Sequence, residues 1–574
     1  MSSKEHRAEL ACGLLALALY AVTACRTVFP GDGGELIASS QALGVAHPPG
    51  YPLWTLLAKL VLLLPLGEPA LRTTLLSALF GAAACALAAH LARRWTEGSL
   101  LAGLAAGGLL ATARTFWFSA TVTEVYTAHV LVALALLWAA ERAREGRGRA
   151  LLLLGVLAGL GLAHHPTIVL VLPSVVLLAR RPRGPARTRE WLVAAGVAMA
   201  VAAAAYGSLL LRARLSPEAT WNHFSGVAAW WAHVTAAAYR PFDLGFAGLL
   251  RGEGWRRVLE ALAVDLGPVG LLLALGGGLL PARRRGPLLL LVALHIGFAL
   301  RYGTEDVDVY LLPAVAALAL LAGMGAARAQ AWRPRLGTAA VLLAVLAQGA
   351  WRFPERDLHA VTLGLHYAED VLRSVPEGGT LIADGDNVFL LQYATQVLKR
   401  RPDLTVFDRG GHVLRTLSPG GEGMLAEAAF LSWPGYEAPA GYRFRPHGLV
   451  YLLEPDGPVP SDAAFWQGAH EASVRAQAAR TGDLLARTLA ASYPILRGER
   501  ALFDGDAAGA ARRFDEARGI AGDSETVRNT LGTIYGRRGD LDRAALEFEA
   551  AMRLKPASPR AAANLRLVRR LQGR

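Results

Sequence analysis

The sequence predicts a polytopic α-helical membrane protein with a soluble C-terminal part. Hydrophobic residues occupy 53% of its 574 positions and charged residues only 18%, whereas an ordinary soluble domain carries about 25% charged residues. Long apolar runs, separated by short polar or Arg-rich loops, continue from Leu10 to about Trp351. From about Pro354 onward the composition is that of a soluble protein. We therefore predict a membrane domain over residues 1–353, with soluble domains after it.

About eleven apolar segments are candidate membrane spans, because a helix needs roughly 17–25 apolar residues to cross a bilayer. The two that begin at Leu151 and Thr167 are short for a span. The segments are Leu10–Val28, Leu71–Leu91, Leu100–Ala113, Val125–Ala140, Leu151–Ala163, Thr167–Leu178, Trp191–Leu211, Ala261–Leu280, Pro287–Leu300, Val309–Ala326 and Gly337–Trp351.

The segment Tyr51–Leu66 decides the orientation of the chain. It is apolar but contains two prolines and Lys59. If it crossed the membrane, most of the later Arg clusters would lie on the opposite side from Lys4 and Arg7. If it lies in the interface, all the clusters share one side with them, as the excess of Lys and Arg in cytoplasmic loops requires. We therefore predict an interfacial helix. The clusters are Arg93–Arg94, Arg142–Arg149, Arg180–Arg189, Arg283–Arg285 and Arg328–Arg335.

This orientation places several polar loops, and the C-terminal half of the chain, on the extracytoplasmic side. These loops hold most of the acidic, His and Trp residues of the membrane domain. They are Pro30–Gly50, Arg114–Glu124, His164–Pro166, Arg212–Glu260 and Arg301–Asp308.

The first of these loops carries the strongest candidate chemistry. Asp32 and Glu35 are three residues apart and would share a face of a short helix. A carboxylate near apolar walls can act as a general base, since its pKa can be raised there. The alternative is a solvated acidic loop. The turn that carries His47 and Tyr51 argues against that alternative, because it points both side chains back toward the acidic pair.

The stretch TVFPGDGGELIASSQALGVAHPPGYPL, from Thr27 to Leu53, resembles the GT-C superfamily of membrane glycosyltransferases. More closely, it resembles a bacterial family that includes a eukaryotic protein O-mannosyltransferase acting on plexin-type domains. The likeness covers roughly residues 10–410. It implies transfer of a sugar, with mannose as one candidate, from a polyprenyl-phosphate donor to a hydroxyl of Ser or Thr on exported proteins. Asp32 would be the general base, with Glu35 as helper or alternative, because the motif is not an adjacent Asp-Glu pair.

The same resemblance implies the bacterial inner membrane as location, and its matching stretches supply some of the further site residues for donor or acceptor. Others are candidates from their position at the outer face: Arg301, Glu124 and the pair His164–His165, since a histidine is costly to bury in an apolar segment without a partner. Each has a structural alternative. Arg240 and Arg301 would bind phosphate or anchor the interface, and Trp221 would stack on sugar or belong to an aromatic belt. Asp306 and Asp308 would orient an acceptor, hold a divalent cation or simply be solvated. The remaining candidates are Glu124, His164, His165, Tyr239, Tyr302, Asp386 and Asn387; His164 and His165 could instead cap a helical hairpin.

The soluble part has two patterns. Gly379–Asp386, a helix and Leu404–Phe407 form a βαβ pattern, which predicts a small extracytoplasmic α/β domain over residues 354–490. Over residues 491–574, Gly, Ala and Phe recur after 34 residues, which predicts a C-terminal α-solenoid of tetratricopeptide repeats (TPR). Such repeats usually bind a protein segment.

These features favour a glycosyltransferase, with lipid-linked sugar, exported protein, bilayer and a repeat-bound protein as partners. The net charge of +13 is explained by membrane orientation, so we expect no nucleic acid. The three cysteines have no metal-ligand spacing, and we predict no metal ligands and no certain cofactor, a divalent cation being an option. The rival functions are a non-catalytic membrane anchor for TPR assembly and a transporter. A transporter would carry charges midway in its spans, and we find none.

Overall fold

In a computed structural model the chain forms two compact units. Unit 1 comprises Met1–Arg26, Val45–Leu215 and Ser225–Ala360, and unit 2 comprises Thr27–Gly44, Ser216–Phe224 and Val361–Arg574. The structure describes residues 7–146, 149–180, 185–216, 219–224, 226–279, 284–304, 306–385, 387–416 and 428–573.

Helices account for most of the described chain. Up to residue 356 they are α1 (Arg7–Thr23), α2 (Gly33–Ala42), α3 (Pro52–Leu62), α4 (Pro69–Trp95), α5 (Leu100–Ala111), α6 (Arg114–Thr121), α7 (Tyr126–Arg144), α8 (Ala150–His164), α9 (Leu172–Ala179), α10 (Pro185–Leu215), α11 (Val227–Val234), α12 (Gly245–Leu249), α13 (Gly252–Leu279), α14 (Arg285–Arg301), α15 (Val307–Tyr310), α16 (Leu312–Trp332) and α17 (Pro334–Arg356). After that residue they are α18 (Leu363–Arg373), α19 (Asn387–Gln392), α20 (Ala463–Gly468), α21 (Glu471–Thr481), α22 (Leu484–Phe503), α23 (Ala507–Ala521), α24 (Glu525–Arg537), α25 (Leu541–Leu554) and α26 (Pro559–Leu571).

The chain is a multi-pass membrane protein, and each predicted span contains a helix. By length and composition, five helices of the described chain can cross a membrane, or six if α5 and α6, bent by 64°, count as one span. The predicted number of about eleven is therefore not confirmed. Segments such as α8 and α9 are apolar but are shorter than the roughly 20 residues that a bilayer requires.

The segment predicted to lie in the interface forms helix α3, which has only 11 residues. Trp54 and Ala58 are fully buried on one face, whereas Leu60 is 62% exposed on the other. A helix this short cannot cross a bilayer, and its exposed leucines would lie against lipid. These features are consistent with the predicted interfacial position.

Glycines let the membrane helices of unit 1 approach closely. A Cβ at Gly277 in α13 would overlap the Leu321 carbonyl oxygen, and one at Gly325 in α16 would overlap that of Leu273. Small residues at such crossings are typical of membrane helix packing, because backbones can then touch. The two glycines therefore fix the spacing between α13 and α16.

Unit 2 contains a six-stranded sheet of order β3-β2-β1-β4-β6-β5. Strands β1 and β2 pair in parallel, with Leu381 opposite Val406, and α19 lies between them in the chain. This pairing is the one that the βαβ pattern predicts, since parallel neighbours need a crossover connection. The strands are β1 (Thr380–Ala383), β2 (Thr405–Asp408), β3 (Arg415–Thr416), β4 (Ala429–Phe430), β5 (Tyr442–His447) and β6 (Val450–Pro455).

The C-terminal helices show the same contact twice. A Cβ at Gly498 would lie 2.5 Å from the Phe514 ring, and one at Gly532 would lie 2.7 Å from the Phe548 ring. Both pairs are related by the 34-residue spacing seen in the sequence. Because the large ring fits only where the facing helix has no side chain, the repeat in sequence produces a repeat in packing. The assignment as tetratricopeptide repeats stays a prediction.

Helix α25 begins where Asp540 accepts a hydrogen bond from the backbone N of Arg543, at 3.1 Å. Loss of such an N-cap typically costs about 1 kcal/mol. We expect Asp540→Ala to speed amide hydrogen exchange in α25 by about fivefold, because helix opening becomes easier by that amount. Exchange measured by mass spectrometry on the full chain checks this, with α21 as internal control. Unchanged exchange in α25 would contradict the capping role.

Candidate active site

The acidic pair of the first loop belongs to unit 2 and flanks the start of helix α2. The Asp32 carbonyl accepts a hydrogen bond from the Leu36 backbone N at 2.9 Å. Glu35 is fully buried and accepts a hydrogen bond from Ser39 Oγ at 3.1 Å, whereas Asp32 is half-buried. The helix N-terminus favours negative charge on both carboxylates. Of the two, Asp32 is the more accessible to a substrate.

Close backbone contacts within unit 2 hold this loop in place. A Cβ at Gly34 would overlap the Phe389 carbonyl oxygen, and one at Gly44 would overlap that of Ala219. Since Gly34 lies between the two acidic residues, its contact with α19 positions both of them. The sequence contains both glycines in the loop of the acidic pair, but it does not show which backbone they contact.

Trp221 also lies in unit 2, where its ring packs against another side chain and is largely shielded from solvent. Its ring is 9% exposed and stacks on His412, with 4.7 Å between centroids and 4° between planes. The Asn222 backbone N donates to the His412 carbonyl at 2.8 Å. Asn387 is half-buried at the start of α19. The other predicted residue of this turn, Asp386, lies outside the described residues.

The remaining predicted residues lie in unit 1, where several join one group of aromatic and imidazole rings, which we name the ring cluster. His165 is its centre, with the rings of Tyr51, Tyr126 and Tyr310 at 5.8, 5.9 and 6.1 Å between centroids. His47 packs against Tyr51 at 5.0 Å. The structure thus brings together residues from widely separated loops. The full ring cluster is His47, Tyr51, Tyr126, His129, His164, His165, Phe298, Tyr302 and Tyr310.

Several members of the ring cluster were not predicted as site residues. His129 lies 4.9 Å from His165 between centroids, and Thr167 Oγ1 is within hydrogen-bonding distance of both rings. Tyr310 packs against Tyr302 at 5.1 Å. The spacing of Tyr126 and His129, one helical turn apart at the start of α7, is the signal that could have identified them.

Carboxylates lie around the ring cluster. Asp306 is exposed and lies within electrostatic range of Tyr126, Tyr302 and Tyr310. Burial raises the pKa of Tyr302 to about 12. Burial also raises the pKa of Asp308, and the nearby charge of Asp306 adds to this effect.

The Glu124 side chain is half-buried just before α7, and one of its oxygens accepts a hydrogen bond from the Val125 backbone N at 3.2 Å. Among the described residues, no group of three or more His, Cys, Asp or Glu side chains is placed to hold a metal ion.

The two arginines predicted to bind phosphate are both exposed. Arg301 donates to Asp243 at 2.7 Å, and this hydrogen bond lowers the pKa of Asp243. Arg240 lies in the turn that also carries Tyr239, which packs against Phe242 at 6.4 Å. Phe242 in turn packs against Tyr302 at 6.4 Å, so the turn adjoins the ring cluster.

Known proteins are similar to parts of this chain in sequence and to most of it in fold. Residues 32–183 match the family model described as the Protein O-mannosyl-transferase TMEM260 N-terminal domain. The match begins at Asp32 and includes His47, Tyr51 and His165. It covers about a quarter of the chain, which leaves the soluble part outside it.

Two curated relatives carry the name of that family. Over 236 residues the chain is 32% identical to Protein O-mannosyl-transferase TMEM260 of Mus musculus, covering 40% of this chain and 33% of the mouse protein. Over 39 residues it is 54% identical to the tmem260 protein of Dictyostelium discoideum, covering 7% of this chain and 5% of that protein. The chain therefore matches about a third or less of the length of these relatives.

A solved structure shows the fold. ArnT from Cupriavidus metallidurans, crystallised with undecaprenyl phosphate, superposes with a TM-score of 0.51 at 13% sequence identity, covering 77% of this chain and 97% of that one. At this identity the likeness concerns the fold alone. The chain has an ArnT-like GT-C fold, as the resemblance of its first loop implied.

Proposed function

We propose that this protein is a membrane glycosyltransferase that moves a sugar from a polyprenyl-phosphate carrier to a hydroxyl of Ser or Thr on exported proteins. Mannose is the first sugar to test, because the matching family model and both curated relatives are protein O-mannosyl-transferases. The observation that carries the proposal is the family match, which begins at Asp32 and contains His165, the centre of the ring cluster. The GT-C fold supports it.

The proposed reaction is a single displacement. The acceptor oxygen forms a bond to the anomeric carbon, the bond from that carbon to the phosphate oxygen breaks, and the acceptor proton passes to a carboxylate. Polyprenyl phosphate leaves with the electron pair of the broken bond. The anomeric centre is therefore inverted, and a β-linked donor would give an α-linked product.

Asp32 is the proposed general base. Its half-buried side chain is more accessible than that of Glu35, which is fully buried and already accepts the Ser39 hydroxyl. We assign Glu35 a structural role, in which it accepts the Ser39 hydrogen bond and places negative charge in the first turn of helix α2. This division of roles is part of the proposal, and the motif alone left the choice between the two carboxylates open.

The donor is proposed to bind at the ring cluster of unit 1. Binding sites for small molecules are typically lined by aromatic side chains with a few polar groups that fix orientation, and the ring cluster has this composition. Arg240 and Arg301 are the proposed phosphate ligands, since Arg can bind phosphate through two parallel hydrogen bonds. At Arg301 the phosphate would have to compete with Asp243.

We further propose that this chemistry takes place on the extracytoplasmic side of a bacterial inner membrane. The C-terminal repeats, whose helices pack in the regular pairs described above, would hold a protein partner. In this arrangement the repeats bind the protein partner, and the GT-C fold catalyses sugar transfer.

Sugar transfer by the reconstituted chain tests the proposal. The purified protein in proteoliposomes is given polyprenyl-phosphate mannose, or other labelled polyprenyl-phosphate sugars, with Ser/Thr-containing peptides. We expect label on the peptide hydroxyl and release of polyprenyl phosphate in equal amount. Absence of transfer with every donor, from folded protein, would favour the rival function of a non-catalytic anchor for assembly.

A further inference from the structure

Thr167 joins two imidazoles of the ring cluster. Its Oγ1 lies 2.7 Å from Nδ1 of His165 and 3.2 Å from Nε2 of His129. Its backbone N donates to the same Nδ1 of His165 at 3.3 Å. All three residues belong to unit 1, and both imidazoles are buried, with His165 4% and His129 2% exposed. One hydroxyl therefore connects the two rings.

The backbone N–H of Thr167 fixes the direction of these hydrogen bonds. A backbone N–H can only donate, so Nδ1 of His165 must be the unprotonated, accepting nitrogen. The Thr167 hydroxyl then donates to this same nitrogen and accepts from Nε2–H of His129. Because a neutral imidazole carries one proton, the proton of His165 is on Nε2. Protonation of Nδ1 would set it against two donors in a buried place, which disfavours the cation.

The rings around His165 belong to the ring cluster, at which the polyprenyl-phosphate donor is proposed to bind. Tyr51, Tyr126 and Tyr310 surround it at about 6 Å between centroids. Within the described parts of the chain, no hydrogen bond is found from Nε2 of His165 to another protein group. A neutral N–H group among these rings can donate a hydrogen bond to an oxygen of a ligand, but it is not placed to accept a proton.

We propose that Thr167 is a positioning residue that locks His165 as a neutral Nε2–H donor to a phosphate oxygen of the polyprenyl-phosphate donor. His165 is then a ligand of the substrate and not a general base. This inference rests on the proposed function for the identity of the ligand. It assigns the acceptor proton to a carboxylate, because the nitrogen of His165 that faces the ligand already carries its own proton.

Binding of undecaprenyl phosphate, which needs no sugar and no acceptor, tests the inference separately from transfer. The full chain in nanodiscs is titrated with this lipid, comparing wild type with Thr167→Val and Thr167→Ser. Val keeps the shape and the backbone N–H but loses the hydroxyl, whereas Ser keeps both polar groups. We expect Thr167→Val to weaken binding by about three- to tenfold, the usual range for one lost hydrogen bond, and Thr167→Ser to bind within about twofold of wild type.

Two substitutions at His165 distinguish a hydrogen-bond donor from a general base at this position. His165→Gln supplies an amide N–H that can donate but cannot take up a proton, and His165→Leu supplies neither. We expect Gln to lose less lipid binding and less sugar transfer than Leu, which should lose both. Transfer lost equally in Gln and Leu with lipid binding intact would identify a base and overturn the proposal. So would unchanged lipid binding in Thr167→Val, or no lipid binding by wild type.

Nitrogen-15 spectra of the histidines report the tautomer in the wild-type protein itself, and a variant is needed only to assign the signal. In wild type, the signal assigned to His165 by its absence in His165→Gln should show a protonated Nε2 and an unprotonated Nδ1. The opposite tautomer, or an imidazolium near neutral pH, would overturn the proposal. A further outcome is that transfer fails with every sugar donor although lipid binding and the nitrogen-15 spectrum match the results expected above. In that case the proposed function is wrong, while the tautomer assignment stands.

Discussion

Asp32→Asn is expected to reduce sugar transfer by at least about a hundredfold, because a positioned general base typically contributes 10²–10⁴-fold to a rate. Asn has nearly the shape of Asp but cannot accept the acceptor proton. The Asp32 carbonyl, which bonds the Leu36 backbone N, is unchanged, so helix α2 should still form. The initial rate of transfer in proteoliposomes, with donor and acceptor saturating, measures the loss in kcat.

Glu35→Gln is the matched control for this substitution. The Gln amide oxygen can still accept the hydrogen bond that Ser39 gives to Glu35, while the negative charge near the helix N-terminus is lost. We expect this variant to keep transfer within about tenfold of wild type, since such a charge contributes about 0.3–1 kcal/mol. The reverse order, with Glu35→Gln the more damaged variant, would make Glu35 the base.

Gly34→Ala is expected to abolish transfer through a structural change. The added methyl group would overlap the Phe389 carbonyl oxygen, which is backbone and cannot move aside as a side chain can. Overpacking of this kind typically costs about 1–3 kcal/mol, and here it would displace the turn that carries Asp32 and Glu35. Transfer rate and thermal unfolding of the purified chain together measure the effect.

Gly519→Ala is the control for added volume. Gly519 lies inside helix α23, and nothing within 4 Å would meet its Cβ. Ala is favoured over Gly in a helix by about 1 kcal/mol, so we expect wild-type transfer and equal or higher stability. Wild-type transfer by Gly34→Ala would show that contact with Phe389 does not position the acidic pair.

The sequence was most informative where structure depends on local patterns. Long apolar runs identified helices in every predicted span, and the βαβ pattern that includes Leu381 and Val406 predicted a parallel pair of strands. The number of spans was less well predicted. Composition does not show where a helix ends, and α5 stops after 12 residues and bends into α6.

Contacts between distant segments could not be predicted from local patterns. Thr27–Gly44 and Ser216–Phe224 group with Val361–Arg574 in unit 2, although the sequence assigned them to loops of the membrane domain. Trp221 looked like a residue at the membrane surface or a sugar-stacking residue, but it packs flat against His412. Such contacts depend on how backbones approach one another, which a single sequence does not record.

The role of Thr167 shows the same limit at the candidate site. His164, His165 and Pro166 stood out because histidine is costly to bury in an apolar segment. Thr167, one residue further, was ordinary in sequence. Its importance arises only because His129 from another helix lies within hydrogen-bonding distance.

The proposed catalysis by Asp32 requires that its loop face the extracytoplasmic side. The native cysteines Cys12, Cys25 and Cys85 are buried, so the wild type supplies an unlabelled background for single cysteines at exposed positions. Gln41, in the helix after Asp32, and Glu97, three residues after Arg94, are both exposed. In intact cells or sealed spheroplasts, a membrane-impermeant maleimide should label Gln41→Cys at once and Glu97→Cys only after the membrane is opened. Labelling of Gln41→Cys only after opening would contradict the account.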